Sequence, residues 1–120
     1  MATEPAEITI GFTESDPSTG YSSFDGYREG ARQSLVILNL DVTVGADPRD
    51  IAESSFVATN DPGVVRGLAR DIRTALQGAT PFRSLSVGDT VTVTRPTGTV
   101  RLACNRYGWE PVASLAGASS

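Results

Sequence analysis

Few residues of this chain are suited to acid–base or nucleophilic chemistry. The 120 residues include no histidine and a single cysteine, Cys104. Without histidine the isolated chain cannot form a Ser-His-Asp or Cys-His arrangement, and one cysteine cannot form an intrachain disulfide. A zinc site of the usual His/Cys kind also lacks its ligands. We therefore expect no metal site, no cofactor and no histidine-assisted nucleophile.

Carboxylates and hydroxyl groups are the remaining candidates for catalysis. The candidates are Asp16, Asp25, Asp41, Asp89 and Tyr107. Acid–base catalysis needs two groups held close together with separated pKa values, and the spacing of these residues shows no such pair. Asp89 follows Gly88 in a turn signal, which favours a structural hydrogen-bonding role. Cys104 falls on the inward side of its strand, which favours a buried inert thiol. We expect a protein that is not an enzyme.

The first candidate for binding is a row of arginines on a predicted helix. Arg66, Arg70 and Arg73 lie within about 60° of one another at about 100° per residue. Three guanidinium groups on one face could bind phosphates, a carboxylate cluster or an acidic partner. The alternative is a solvated helix face on which Asp71 and nearby acids are partial partners.

The second candidate is a long loop over residues 13–33, which is rich in Ser, Gly and Asp. Loops of this length are uncommon inside a compact domain and are often functional. This one contains three aromatic residues, Tyr21, Phe24 and Tyr27. Their rings either pack onto the core as a lid or act as the anchors of a binding loop.

Two helices are predicted, and each begins at an Asp-Pro pair. Asp is a good N-cap and Pro fits the first helical position, so Asp47 and Asp61 indicate helix starts. The apolar spacing that follows predicts helices over 48–59 and 62–77, the second with the stronger amphipathic stripe.

Alternation of apolar and polar residues predicts five strands. They span residues 8–12, 35–44, 90–94, 99–104 and 109–112. The run 35–44 begins with four apolar residues, which is typical of a central strand covered on both faces at that end. The last three strands form a meander, and Pro111 indicates a sheet edge. We predict an α+β fold in which both helices pack on one face of a mainly antiparallel sheet.

Length and composition predict a single domain over residues 1–120, with loose tails at 1–7 and 113–120. No apolar run approaches the ~20 residues of a membrane-spanning helix, and the N-terminus lacks the apolar region of a signal peptide. A cytoplasmic location is therefore expected. All ten basic residues are arginine, which suggests a GC-rich coding sequence, and the net charge of −4 disfavours nonspecific wrapping of nucleic acid.

One motif carries a family resemblance. Residues 83–91 read RSLSVGDTV and are followed by a hairpin and the pair Gly108-Trp109. This pattern resembles a group of small uncharacterised proteins of high-GC bacteria, their plasmids and their phages, related here to the YodL-like domains. The run from Asp47 to Asn60 is similar to the helix that precedes the motif in that group. The resemblance covers roughly residues 35–112. It implies a fold and a mobile-element context and brings no catalytic residues.

These observations favour a non-catalytic binding or accessory protein of a phage or mobile element, acting on a host or phage macromolecule. A protein partner is the first expectation. One alternative is a nucleic-acid-associated regulator that uses the arginine row. Another is a self-assembling small structural protein, such as a virion component, that pairs through free hairpin edges. A small-ligand pocket under the 13–33 loop is a further alternative, and the sequence leaves the oligomeric state open.

Overall fold

The fold is a five-stranded antiparallel sheet with two helices on one face. The computed structural model describes residues 2–15, 18, 20, 22, 26–28, 30–79 and 82–112. The elements are β1 (Thr3–Thr13), β2 (Gln33–Thr43), α1 (Pro48–Asn60), α2 (Gly67–Ala79), β3 (Thr90–Arg95), β4 (Gly98–Asn105) and β5 (Gly108–Val112). The strand order is β2-β1-β3-β4-β5. The predicted α+β fold is confirmed.

The core lies between the helices and one face of the sheet. Even-numbered residues of β1 and β2 point to the helices, and α1 packs against β3 to β5 while α2 packs against β2. The largest fully buried aliphatic residues are Ile8, Ile10, Ile51, Ile72, Leu76, Leu85, Val91, Val93 and Leu102. Each such side chain stabilises the fold by about 1.5–3 kcal/mol relative to exposure. The opposite face of the sheet, here called the open face, carries mostly threonine and other polar residues.

The N-terminal segment corrects the prediction of a loose tail over residues 1–7. Residues 3–7 belong to β1, which pairs with β2 from Thr3 to Thr13. Pro5 is tolerated because its missing N–H would point to the β3 side, and the ladder with β3 begins only at Glu7. The polar composition of this stretch hid a strand whose apolar residues alternate from Ala6 onward.

The apolar run of β2 also corrects a prediction. It was expected to be a central strand, but β2 is an edge strand and β1 lies inside the sheet. Leu35 and Ile37, expected to be covered, are 54% and 55% exposed on the open face. The run is apolar on both faces, yet the helices cover only one of them.

The helices differ in how well their starts were predicted. At α1, Asp47 is the N-cap and its side chain accepts from the Arg49 N–H, as predicted. The second helix was predicted over 62–77 but begins at Gly67. The Asp61 carboxylate instead accepts from the Gly63 N–H in a turn, and the left-handed Gly67 (φ 74°) changes the chain direction at the first residue of α2.

The C-terminal meander agrees with the prediction to within one residue at each strand end. The predicted tail over 113–120 lies outside the described residues. Across the described ranges, no helix has the length and apolar character needed to cross a membrane.

Candidate functional site

The RSLSVGD motif closes on itself through an ion pair between its first and last residues. Arg83 donates from Nη1 to Asp89 Oδ2 at 2.7 Å and from Nη2 to Asp89 Oδ1 at 2.8 Å. This two-pronged geometry is the strong form of an Arg–carboxylate pair. Asp89 is fully buried, whereas 46% of the Arg83 side chain is exposed, with its guanidinium 5.0 Å from the centre of the Phe12 ring.

The same ion pair joins the motif to the end of β1. The Thr13 N–H donates to Asp89 Oδ1 at 2.8 Å, and the Thr13 hydroxyl donates to the Gly88 carbonyl at 2.6 Å. Arg83 Nη2 in turn donates to the Thr13 carbonyl. We call Thr13, Arg83 and Asp89 the clamp.

The middle of the motif docks on the C-terminus of α1. The Leu85 N–H donates to the Thr59 hydroxyl at 2.9 Å, and Asn60 Nδ2 donates to the Leu85 carbonyl at 3.1 Å. The Leu85 side chain is buried in the core. The motif therefore connects α1, β1 and β3, and its residue types are explained by packing and hydrogen bonding.

The clamp leaves Asp89 with no free acceptor position aimed at a cavity. Its two oxygens accept from Arg83, from the Thr13 N–H and from the Ser86 N–H at 3.0 Å. A carboxylate held in this way is positioned for structure, and the predicted hydrogen-bonding role of Asp89 is confirmed.

Cys104 is buried and unpaired, as predicted. Burial, followed by the negative charges of Asp89 and Glu53, raises the pKa of its thiol above the ordinary value of 9.0. Because the thiolate is the nucleophile, this environment suppresses reactivity at neutral pH. Among the described residues, no group of three or more His, Cys, Asp or Glu residues could hold a metal ion.

A second polar cluster lies on the open face, where Gln33 reaches across β1. Its amide nitrogen donates to the Thr13 hydroxyl at 2.9 Å and to the Thr90 hydroxyl at 3.0 Å. Its amide oxygen accepts from Arg101 Nη2 at 2.8 Å. Arg101 is only 8% exposed, so this arginine is held in the sheet surface. We call Thr13, Gln33, Thr90 and Arg101 the Gln33 cluster.

Gly11 makes the Gln33 cluster possible. A Cβ at this position would lie 2.5 Å from the Thr90 hydroxyl oxygen and 2.6 Å from Gln33 Oε1. Gly11 is opposite both Leu35 and Thr90 in the two ladders, so only hydrogen at its Cα leaves space for the Gln33 side chain.

The arginine row is not one continuous surface. Arg66 precedes α2 and is exposed, and Arg70 pairs with Asp71 at 3.3 Å on the surface. Arg73 is turned inward: it donates to the Ala58 carbonyl at 2.9 Å and lies 5.3 Å from the centre of the Phe82 ring. The predicted row therefore reduces to two exposed arginines, because Arg73 contacts Ala58 and Phe82, and of these two only Arg70 lies in α2.

Of the three aromatic residues in the 13–33 loop, the structure describes Tyr27. Tyr21 and Phe24 lie outside the described residues. Tyr27 stacks on the Arg101 guanidinium, with 5.1 Å between Arg101 Cζ and the ring centre. A cation–π contact of this kind holds the Tyr27 ring over the open face next to the Gln33 cluster. At the base of the loop is a groove of about 540 Å³, lined by Phe12, Thr13, Glu14, Ser15, Ser34, Phe82 and Arg83.

The open face also carries an apolar patch that the sequence interpretation missed. Leu35 and Ile37 lie two residues apart on one face of β2, and each is more than half exposed. Ile37 is opposite Thr9 and Leu35 is opposite Gly11. The signal was present in the run 35–38, which is apolar at every position and so must expose aliphatic groups wherever the sheet has one covered face.

Comparison with known protein families, with curated proteins and with solved structures finds no match to this chain. The function is therefore argued from the geometry above.

Proposed function

We propose that this chain is a non-catalytic binding protein, an accessory protein of a phage or other mobile element that acts in the cytoplasm of the bacterial cell. It contacts a host or phage macromolecule, in the first instance a protein, through the open face of its sheet. The observation that carries this proposal is the exposed apolar patch of Leu35 and Ile37. Exposed aliphatic groups placed together on a polar face are a common feature of protein-binding surfaces.

The chemistry of the described polar groups supports a role without catalysis. The buried carboxylate of Asp89 is saturated by the clamp, and the Cys104 thiol has a raised pKa. The donors and acceptors of the Gln33 cluster bond to one another across the sheet surface, and Tyr27 stacks on the Arg101 guanidinium. A rigid surface of this kind favours recognition because little ordering is needed on binding.

The mobile-element context is proposed from the resemblance of the RSLSVGD motif to small proteins of high-GC bacteria, their plasmids and their phages. The nucleic-acid alternative retains Arg66 and Arg70 as its contacts, since Arg73 is engaged with Ala58 and Phe82.

The test is capture of the partner by immobilised protein from lysates of the source bacterium, with and without phage infection, followed by mass spectrometry. The double variant Leu35→Ser/Ile37→Ser removes the apolar groups without disturbing the core, so it should fold and lose the captured partner. The matched control is Val65→Ser, which removes an aliphatic group that is 74% exposed outside the patch. Equal capture by the double variant would contradict the proposal.

A further inference from the structure

The backbone of β2 presents a row of hydrogen-bonding groups on its outer side. The Glu14 N–H donates to the Arg32 carbonyl at 2.8 Å, and the Val44 N–H donates to the Ala2 carbonyl at 3.1 Å, both in register with the β1–β2 ladder. Residues of an antiparallel ladder alternate between inward and outward backbone groups. The even-numbered residues of β2 therefore bond to β1. The outward groups belong to the odd-numbered residues, Leu35, Ile37, Asn39 and Asp41 together with Gln33 and Thr43 at the strand ends.

The other edge strand of the sheet, β5, has fewer backbone groups available to pair with a further strand. The Cys104 N–H donates to the Asp89 carbonyl at 2.9 Å, so even-numbered residues of β4 bond to β3 and odd-numbered ones bond to β5. In this register the backbone groups of Trp109 and Pro111 point away from β4, to the outer side of β5. Pro111 has no N–H to offer, and the Trp109 carbonyl accepts from Arg49 Nε at 3.4 Å.

The edge strand β2 has neither a proline nor an arginine that bonds to its outward carbonyl groups. It is eleven residues long, contains no proline, lysine or arginine, and has a single charge, Asp41. At the end of β2 the Thr43 carbonyl accepts from the Ala46 N–H at 3.0 Å, whereas the outward backbone groups of Leu35, Ile37, Asn39 and Asp41 have no hydrogen bond within the described ranges. A long, apolar, nearly uncharged edge strand is the kind that pairs with another strand.

We propose that two copies of this chain associate through β2, antiparallel about a two-fold axis, to form one continuous sheet. A second copy fits because the molecule has one open edge and one closed edge. A head-to-tail assembly would need to join β2 to the closed β5 edge, whereas β2 against β2 uses the same surface twice and closes as a dimer.

The sequence of β2 is complementary to itself in this arrangement. In a pairing centred on Val36, Leu35 of each copy is opposite Ile37 of the second copy, and these are positions with outward backbone groups. Such aliphatic cross-strand pairs stabilise a sheet. Asp41 lies beyond the segment 33–39 that pairs, so no two like charges meet. The side chains of Leu35 and Ile37 from both copies form one larger patch on the joined open face. The pairing goes beyond the proposed function and does not depend on it.

The experiment is sedimentation equilibrium of the full chain over a concentration series, with two variants at one position. Ile37→Pro and Ile37→Ala both remove the isoleucine side chain, but only Ile37→Pro removes the outward N–H. Strand β2 should still form in the Ile37→Pro variant, because the hydrogen bonds of β2 to β1 are made by its even-numbered residues. We expect wild type to dimerise, Ile37→Ala to retain dimerisation, and Ile37→Pro to weaken it by a further factor of about ten or more, since two donors are lost per dimer.

Amide hydrogen exchange of the wild-type chain gives a second readout that needs no variant. Exchange at Ile37 and Asn39 should slow as the protein concentration rises, while exchange at Tyr107, whose N–H donates to Asn105 Oδ1 in the β4–β5 turn, should not change with concentration. Two outcomes would overturn the proposal. One is a wild-type monomer at every concentration. The other is a dimer that Ile37→Pro forms as well as Ile37→Ala does.

Discussion

At the scale of residues, the most demanding feature is the clamp, which holds a fully buried carboxylate in place. A buried charge is costly unless it is paired and hydrogen-bonded. Asp89 meets this requirement with one guanidinium and two backbone N–H groups. The spacing of Arg83 and Asp89 in the RSLSVGD motif is therefore explained by a structural task.

Replacing Asp89, the buried partner of the Arg83 ion pair, should destabilise the fold. Asp89→Ala leaves the Thr13 and Ser86 N–H groups without their acceptor, and we expect it to lower the free energy of unfolding by about 3 kcal/mol. The measurement is urea denaturation followed by circular dichroism. The matched control is Asp71→Ala, which breaks the exposed pair with Arg70 and should change stability by less than about 0.5 kcal/mol. A loss at Asp89→Ala as small as the loss expected for the control would show that the clamp does not stabilise the fold.

At the scale of elements, the order of the strands depends on close contacts between neighbours. The Gln33 side chain of β2 crosses β1 above Gly11 and reaches β3 and β4. It thus bonds to side chains of three other strands, since it also reaches Thr13 of β1. The clamp performs a similar task at the end of β1, where it joins that strand to the segment before β3.

The same substitution at two glycines should have opposite effects. Gly11→Ala places a methyl group against Gln33 and Thr90, and we expect a loss of about 1–3 kcal/mol in the free energy of unfolding. Gly78→Ala, in α2, meets no atom within 4 Å and should raise stability by up to about 1 kcal/mol because alanine favours helix. Both values come from chemical denaturation. In a Gln33→Ala background the loss at Gly11 should shrink, and an unchanged loss would count against this explanation.

At the scale of the whole molecule, charge and surface act together against nucleic-acid binding. The chain has a net charge of −4, and α2 with its preceding turn exposes two arginines of the predicted three. An acidic surface repels phosphates over a distance of about one Debye length, so any binding depends on a small local patch.

Duplex binding, if measured by gel shift, should therefore be detectable only at low salt. With Arg66 and Arg70 as the phosphate contacts, the slope of log K against log salt should be about −1.8, compared with about −2.7 for three contacts. Arg70→Ala should make the slope less negative, because one phosphate contact is lost. The control is Arg106→Ala, on the β4–β5 turn, which should leave the slope unchanged. Tight binding at physiological salt would contradict this expectation and favour a regulator of nucleic acid.

The sequence by itself determined the element types, the helix start at Asp47, the C-terminal meander and the inward position of Cys104, because alternation, capping and turn residues act locally. Only the tertiary structure decided that residues 3–7 extend β1, that β2 lies at an edge and that Arg73 turns inward. It also decided that Arg83 and Gln33 reach buried partners. These features depend on which strand neighbours which and on which face the helices cover, and such long-range choices are made by the packing of the whole core.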